Sequence, residues 1–261
     1  MIGIFDSGVG GMTVARAIEQ HCPGYPLVYL GDLARTPYGS KSPAMITEYS
    51  HRNTEFLLKQ GARLIVIAYN SAASAASTFL RNHYSQMIVD VIFPAVAKAA
   101  EVSTSGRIGL IGTRATVNSG LYEQRLRAAR PDCSVYSQAC PLLVPLVEEG
   151  WLDHPVNRMT AQEYLRPVLA EQVDSLVLGC THYPLIKPLV QDVVGPDVRL
   201  VDSAITVAEQ AAETLNQLGL ANSGETLADY QFTVTDIPLR FQTIGERFLG
   251  RSLGTLTKLD W

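Results

Sequence analysis

The sequence is short of cysteine, of long apolar runs and of positive charge, and each shortage excludes a class of protein. Cys22, Cys133, Cys140 and Cys180 are the four cysteines among 261 residues, and no two form a C-x-x-C pair. That usage suggests neither a zinc site nor a disulfide framework. Net charge is −4, the pI is about 5.7 and no basic stripe stands out. Neither nucleic acid nor an anionic membrane surface is therefore an expected partner. No run approaches the roughly 18 apolar residues of a membrane span. Met1-Ile2-Gly3-Ile4-Phe5-Asp6 lacks a positive n-region and reads as a buried strand rather than a signal peptide, so the expected location is cytoplasmic. Nucleotide motifs are missing as well. The turn Asp6-Ser7-Gly8-Val9-Gly10-Gly11 is followed at position 13 by Thr, where G-x-G-x-x-G requires Gly, and no G-x-x-x-x-G-K-[ST] occurs.

What is present is a chain that is 47% hydrophobic and 18% charged, the composition of a globular protein with a real core. Short apolar runs alternate with helix-length amphipathic segments. The predicted strands are Ile2–Phe5, Leu27–Leu30, Leu64–Ala68, Ile88–Ile92, Ile108–Ile111, Ser134–Ser137, Leu176–Gly179 and Val198–Val201. Helices are predicted at Met12–His21, Pro43–Gln60, Val117–Ala129, Ala161–Glu171 and Ile186–Val194, among others. Continuously apolar strands separated by helices imply an α/β fold with parallel sheets covered on both faces. The chain also echoes itself. Ile2-Gly3-Ile4-Phe5-Asp6-Ser7 parallels Ile108-Gly109-Leu110-Ile111-Gly112-Thr113, and Leu64–Ser71 parallels Ser175–His182. Two similar lobes would explain the echo, although shared α/β periodicity alone also produces such likeness. The expected division is 1–93 plus 206–261 for lobe one and 94–205 for lobe two.

In parallel α/β folds, ligands sit beyond the carboxyl ends of the strands. Asp6-Ser7, Asp32, Tyr69-Asn70-Ser71, Thr113, Cys180-Thr181-His182 and Asp202-Ser203 all fall at such ends. Cys180 is the most telling. A thiol that closes a buried strand and opens a helix meets backbone N–H groups and the positive end of the helix dipole, and both favour the thiolate. His182 stands close enough to act as its acid, base or charge partner. Buried structural thiols are the expectation for Cys133 and Cys140. Asn70-Ser71 and Thr181 open helices, and capping is the simpler local use of their side chains, though the same amides also suit a carboxylate. Pro37-Tyr38-Gly39-Ser40-Lys41 reads as a turn.

Taken together these stretches resemble glutamate racemase, of the aspartate/glutamate racemase superfamily. The likeness is carried by Ile4–Gly11, by Gly31-Asp32 with Arg35 and Pro37-Tyr38-Gly39, and by Ile111-Gly112-Thr113. Cys140-Pro141 with Val144–Gly150, Leu178–Pro184 and Asp202-Ser203 continue it. The resemblance implies two pseudo-symmetric lobes, each a mostly parallel sheet flanked by helices, with the active site in the interlobe cleft. It implies cofactor-independent inversion of the α-carbon of glutamate, one cysteine from each lobe exchanging the proton. That activity supplies D-glutamate for cell-wall peptidoglycan. By the same resemblance Cys180 is a catalytic base and His182 its assistant, with Asp6 and Glu148 the assisting carboxylates. Ser7, Tyr38, Gly39, Asn70, Ser71, Thr113 and Thr181 hold the substrate. No cofactor and no metal is implied, the partner is a small acid, and a homodimer is allowed without being required.

The departure is at the other base. The family reads Cys-Asn-Thr-Ala where this chain reads Tyr69-Asn70-Ser71-Ala72. A phenol ionises about 1.5 pKa units above a thiol, a handicap of about 2 kcal/mol, and it is far longer. Three readings follow. The chain is an amino-acid racemase with Tyr69 in place of the second thiol; or a one-base lyase, decarboxylase or isomerase using Cys180 alone, as arylmalonate decarboxylase of the same superfamily does; or an inactive binder of a small acid.

Overall fold

The computed structural model describes residues 1–220 and 229–260. In chain order its strands and α-helices are β1 Ile2–Asp6, α1 Met12–His21, β2 Leu27–Gly31, α2 Pro43–Lys59, β3 Leu64–Ile67, α3 Asn70–His83, β4 Met87–Asp90, α4 Ile92–Val102 and β5 Arg107–Gly112. There follow α5 Arg114–Asn118, α6 Leu121–Ala129, β6 Ser134–Ala139, α7 Leu143–Glu148, α8 Pro155–Ala170 and β7 Ser175–Gly179. The last are α9 Lys187–Val194, β8 Arg199–Asp202, α10 Ser203–Gln217, β9 Tyr230–Val234, α11 Phe241–Leu249 and β10 Leu256–Lys258. Two compact units result, Met1–Val91 with Val207–Trp261, and Ile92–Thr206.

The first unit holds a six-stranded sheet in the order β10-β9-β2-β1-β3-β4, and the second a four-stranded sheet in the order β6-β5-β7-β8. Every pairing is parallel. Strands β1, β2, β3 and β7 are buried along their whole length, which is why they read as unbroken apolar runs. Strand order turns the sequence echo into geometry. Without its two C-terminal strands the first sheet runs β2-β1-β3-β4, and the second repeats that order as β6-β5-β7-β8. Register extends the match, because Ile2 pairs with Leu64 as Ile108 pairs with Ser175. Tyr69 lies five residues beyond Leu64, and Cys180 five beyond Ser175. Each therefore holds the same station in its own sheet.

Several local expectations are corrected. The predicted strand Ile88–Ile92 is Met87–Asp90, and Ile92 already opens α4. Asp90 closes the strand in an ion pair with Arg81 at 2.7 Å, and the apolar residues beyond it serve a helix. The helix predicted over Val117–Ala129 is two, because Gly120 takes φ +65 between α5 and α6. The one predicted over Ala161–Glu171 begins earlier, at Pro155, behind a His154 cap. Strands β9 and β10 were not expected at all. They are recruited by edge pairing, Leu27 opposite Tyr230 and Phe232 opposite Leu256. Among the described residues no helix is long and apolar enough to cross a membrane.

Candidate active site

Besides Asp90, the strand ends of the first unit carry the buried carboxylates Asp6 and Asp32. Asp6 closes β1 at 2% exposure, and its Oδ1 accepts from the Gly8 amide at 2.6 Å. Gly11 lies so close that a Cβ there would come within 2.5 Å of Asp6 Cβ, so the turn must be glycine at that point. Ser7 is buried beside it. Asp32, just past β2, is fully buried and accepts from the Tyr38 phenol at 2.5 Å and from Thr235 Oγ1 at 3.1 Å, with Arg35 at 3.3 Å. Tyr38 is itself fully buried and takes a further bond from Asn53 Nδ2 at 3.0 Å. In the Pro37-Tyr38-Gly39 turn the exposed residues are Pro37 and Gly39.

Tyr69 follows β3 in extended conformation and takes the N-cap position of α3 without using its side chain. It is half-buried, and its ring meets that of Tyr38 edge-on, with centroids 5.9 Å apart at 77°. Asn70 and Ser71 are the first residues of the helix, both buried. The capping role expected of them is thus not theirs, since the cap residue is Tyr69. Ser71 Oγ is buried and, among the described residues, makes no hydrogen bond. A hydroxyl in that state at a helix start suits a ligand's polar group.

In the second unit Cys180 follows β7 directly and is 3% exposed. Its Sγ lies 3.9 Å from His182 Nδ1, and His182 Nε2 lies 2.9 Å from Glu148 Oε1 at the end of α7. The chain after Cys180 turns through a 3₁₀ segment, Tyr183–Ile186, before α9, and His182 takes the cap position without a side-chain cap bond. Thr181 is buried and precedes the cap residue, His182. Thr113, past β5, is a true cap, its Oγ1 accepting from the Thr116 amide at 3.3 Å.

Burial works against a charged His182, yet hydrogen bonds to Cys180 and Glu148, together with their negative charge, win and raise its pKa to about 10. The imidazole is therefore a cation through the neutral range, with its Nδ1 3.9 Å from the Cys180 sulfur. Two other thiols are raised. Burial pushes Cys22 up to about 11, and burial together with the charge at Cys180 pushes Cys140 up to about 12. A raised folded-state pKa contributes stability that is fully present below the ordinary value of 6.5 and is lost as pH rises through about 10. We expect kcat/KM to fall on an alkaline limb near pH 10 and His182→Asn to remove that limb. A limb left in place by the substitution would assign it to another group.

The residues 10–211 match the family model described as Asp/Glu/Hydantoin racemase. A glutamate racemase from Syntrophus aciditrophicus is 53% identical over 252 residues, covering 97% of this chain and 93% of that protein. The chain belongs to the Asp/Glu/hydantoin racemase family. The fold agrees. A glutamate racemase isoform from Bacillus anthracis superposes with a TM-score of 0.93 at 34% identity, covering 100% of this chain and 97% of that one. A Francisella tularensis glutamate racemase, solved in complex with D-glutamate, gives 0.91 at 34% identity over 99% and 97% of the two chains. In this racemase the structure brings Cys180, His182 and Glu148 into one line, and groups Asp6 and Ser7 on one turn and Tyr69, Asn70 and Ser71 on another. Sequence reading overlooked Asn53 and Thr235, which complete the Asp32–Tyr38 network. Their only local signals are a polar residue inside a helix and a Thr past an unrecognised strand.

Proposed function

We propose that this chain racemises glutamate without a cofactor, Cys180 and Tyr69 being the two groups that exchange protons with the α-carbon. The observation that carries the reading is the Cys180–His182–Glu148 line at the end of β7. The equal station of Tyr69 in the first sheet supports its share of the chemistry.

The thiolate of Cys180 takes the α-proton, and the C–H electron pair passes into the α-carboxylate as a planar carbanion. The Tyr69 phenol delivers its proton to the opposite face, leaving a phenolate. Exchange with solvent then restores thiolate and phenol; the opposite enantiomer is handled by the reverse path. His182, held by Glu148, balances charge on the sulfur, and Asp6, at the end of β1, is the carboxylate that assists proton exchange at Tyr69. Ser7, Gly39, Asn70, Ser71, Thr113, Thr181 and the main chain at Tyr38 hold the substrate. Its role is D-glutamate supply for peptidoglycan, in the cytoplasm; a homodimer is compatible with this chemistry and not required by it.

The test is incubation of D- and L-glutamate in D₂O, with deuterium at the α-carbon and the enantiomer ratio followed together. Exchange with inversion is expected from both enantiomers. Exchange confined to one enantiomer, with retention and no inversion at all, would replace this reading by one-base chemistry at Cys180, and absence of exchange would leave a binding protein.

A further inference from the structure

Two phenols meet where the first unit presents its carboxyl strand ends, and they are not equivalent. Tyr38 is fully buried, and its oxygen is committed to Asp32 at 2.5 Å and to Asn53 at 3.0 Å. Burial and the Asp32 carboxylate both push its pKa up, so this phenol stays protonated and keeps its place. Tyr69 is half-buried, and its ring lies edge-on against that of Tyr38. Such T-shaped pairs have a defined geometry because the positive ring edge seeks the negative face. One contact that fixes the Tyr69 ring is thus with a neighbour which is itself held by a buried carboxylate.

We propose that Tyr38 is a positioning residue that aims the Tyr69 phenol, with Asp32 as its anchor. The inference rests on the reading of Tyr69 as a proton carrier. Asp32 in turn is tied to Thr235 at 3.1 Å, just past β9. The C-terminal strands therefore brace the aim of a residue more than 160 positions away in sequence. A thiol at position 69 would have no ring to aim, so this use of Tyr38 belongs to the tyrosine-bearing chain.

The experiment compares Tyr38→Phe, Tyr69→Phe and the unaltered chain in D₂O, measuring inversion and exchange with retention separately, with thermal melting as a check on folding. Tyr38→Phe keeps the ring but releases it from Asp32. Inversion should fall by roughly ten- to a hundredfold, the usual effect of a small misplacement. Exchange with retention on the Cys180 side should stay within about twofold. Inversion unchanged in a folded Tyr38→Phe, or inversion and exchange falling together, would overturn the proposal. Should Tyr38→Phe not fold, Asp32→Asn weakens the same anchor and is held to the same two criteria. Inversion that survives in Tyr69→Phe defeats the underlying reading instead, whereas inversion lost there but kept in Tyr38→Phe defeats the positioning role alone.

Discussion

Cys180→Ala should lose inversion, and with it α-proton exchange from the enantiomer that Cys180 deprotonates, by about 10³-fold, within the range that one positioned acid–base group supplies. The Cys180 sulfur lies 3.9 Å from His182 Nδ1, whereas Cys140, a neighbour in the same unit, is held protonated with its pKa near 12. A purely structural Cys180 predicts a different outcome. Removing one buried sulfur would then cost about 1 kcal/mol of stability and leave the rate intact. Measuring Tm beside the two rates separates the cases. Cys180→Ser is the sharper control, because it keeps the size of the group and removes its readiness to ionise. A serine variant that retained more than about a tenth of the activity would argue that the proton is carried elsewhere.

The second large effect is expected at Tyr69. Tyr69→Cys restores a thiol at the station equivalent to Cys180 and removes an ionisation handicap of about 2 kcal/mol, so inversion should rise by up to about thirtyfold. The gain in rate should come with a loss of stability. The edge-on contact with Tyr38 at 5.9 Å disappears, and such a pair contributes about 0.5–1.5 kcal/mol beyond its buried area. Opposite signs in rate and Tm are thus the signature of a phenol that replaces a thiol. If the ring instead shapes the pocket for another acid, Tyr69→Cys gains glutamate turnover only as its native reaction declines, and Tyr69→Phe keeps that native reaction. Kinetic assay of both variants on glutamate and on a panel of small acids reads the difference directly.

The sequence by itself determined the class of fold and the stations of its reactive groups. Strands β1, β3, β5 and β7 are legible because a parallel strand buried on both faces must be apolar throughout. Their carboxyl ends are then the places where a polar residue has to mean something. Cys180-Thr181-His182 and Asp6-Ser7 stand out for that reason, and Tyr69 does so as the residue that breaks an otherwise matching pattern. Tertiary structure decided everything that depends on sideways partners. Glu148 and His182 are 34 residues apart, and only the packing of α7 against the turn after β7 sets them 2.9 Å apart. Strand β9 carries Thr and Gln among its apolar residues and is a strand because β2 offers it an edge. Asp32 looked like one more strand-end acid until Tyr38, Asn53 and Thr235 closed around it, and only the fold shows the Tyr38 side chain buried against that carboxylate. Periodicity along a chain reports which face of an element is buried. It carries no record of which distant residue will share that burial, and the hydrogen bonds of this site are made between such residues.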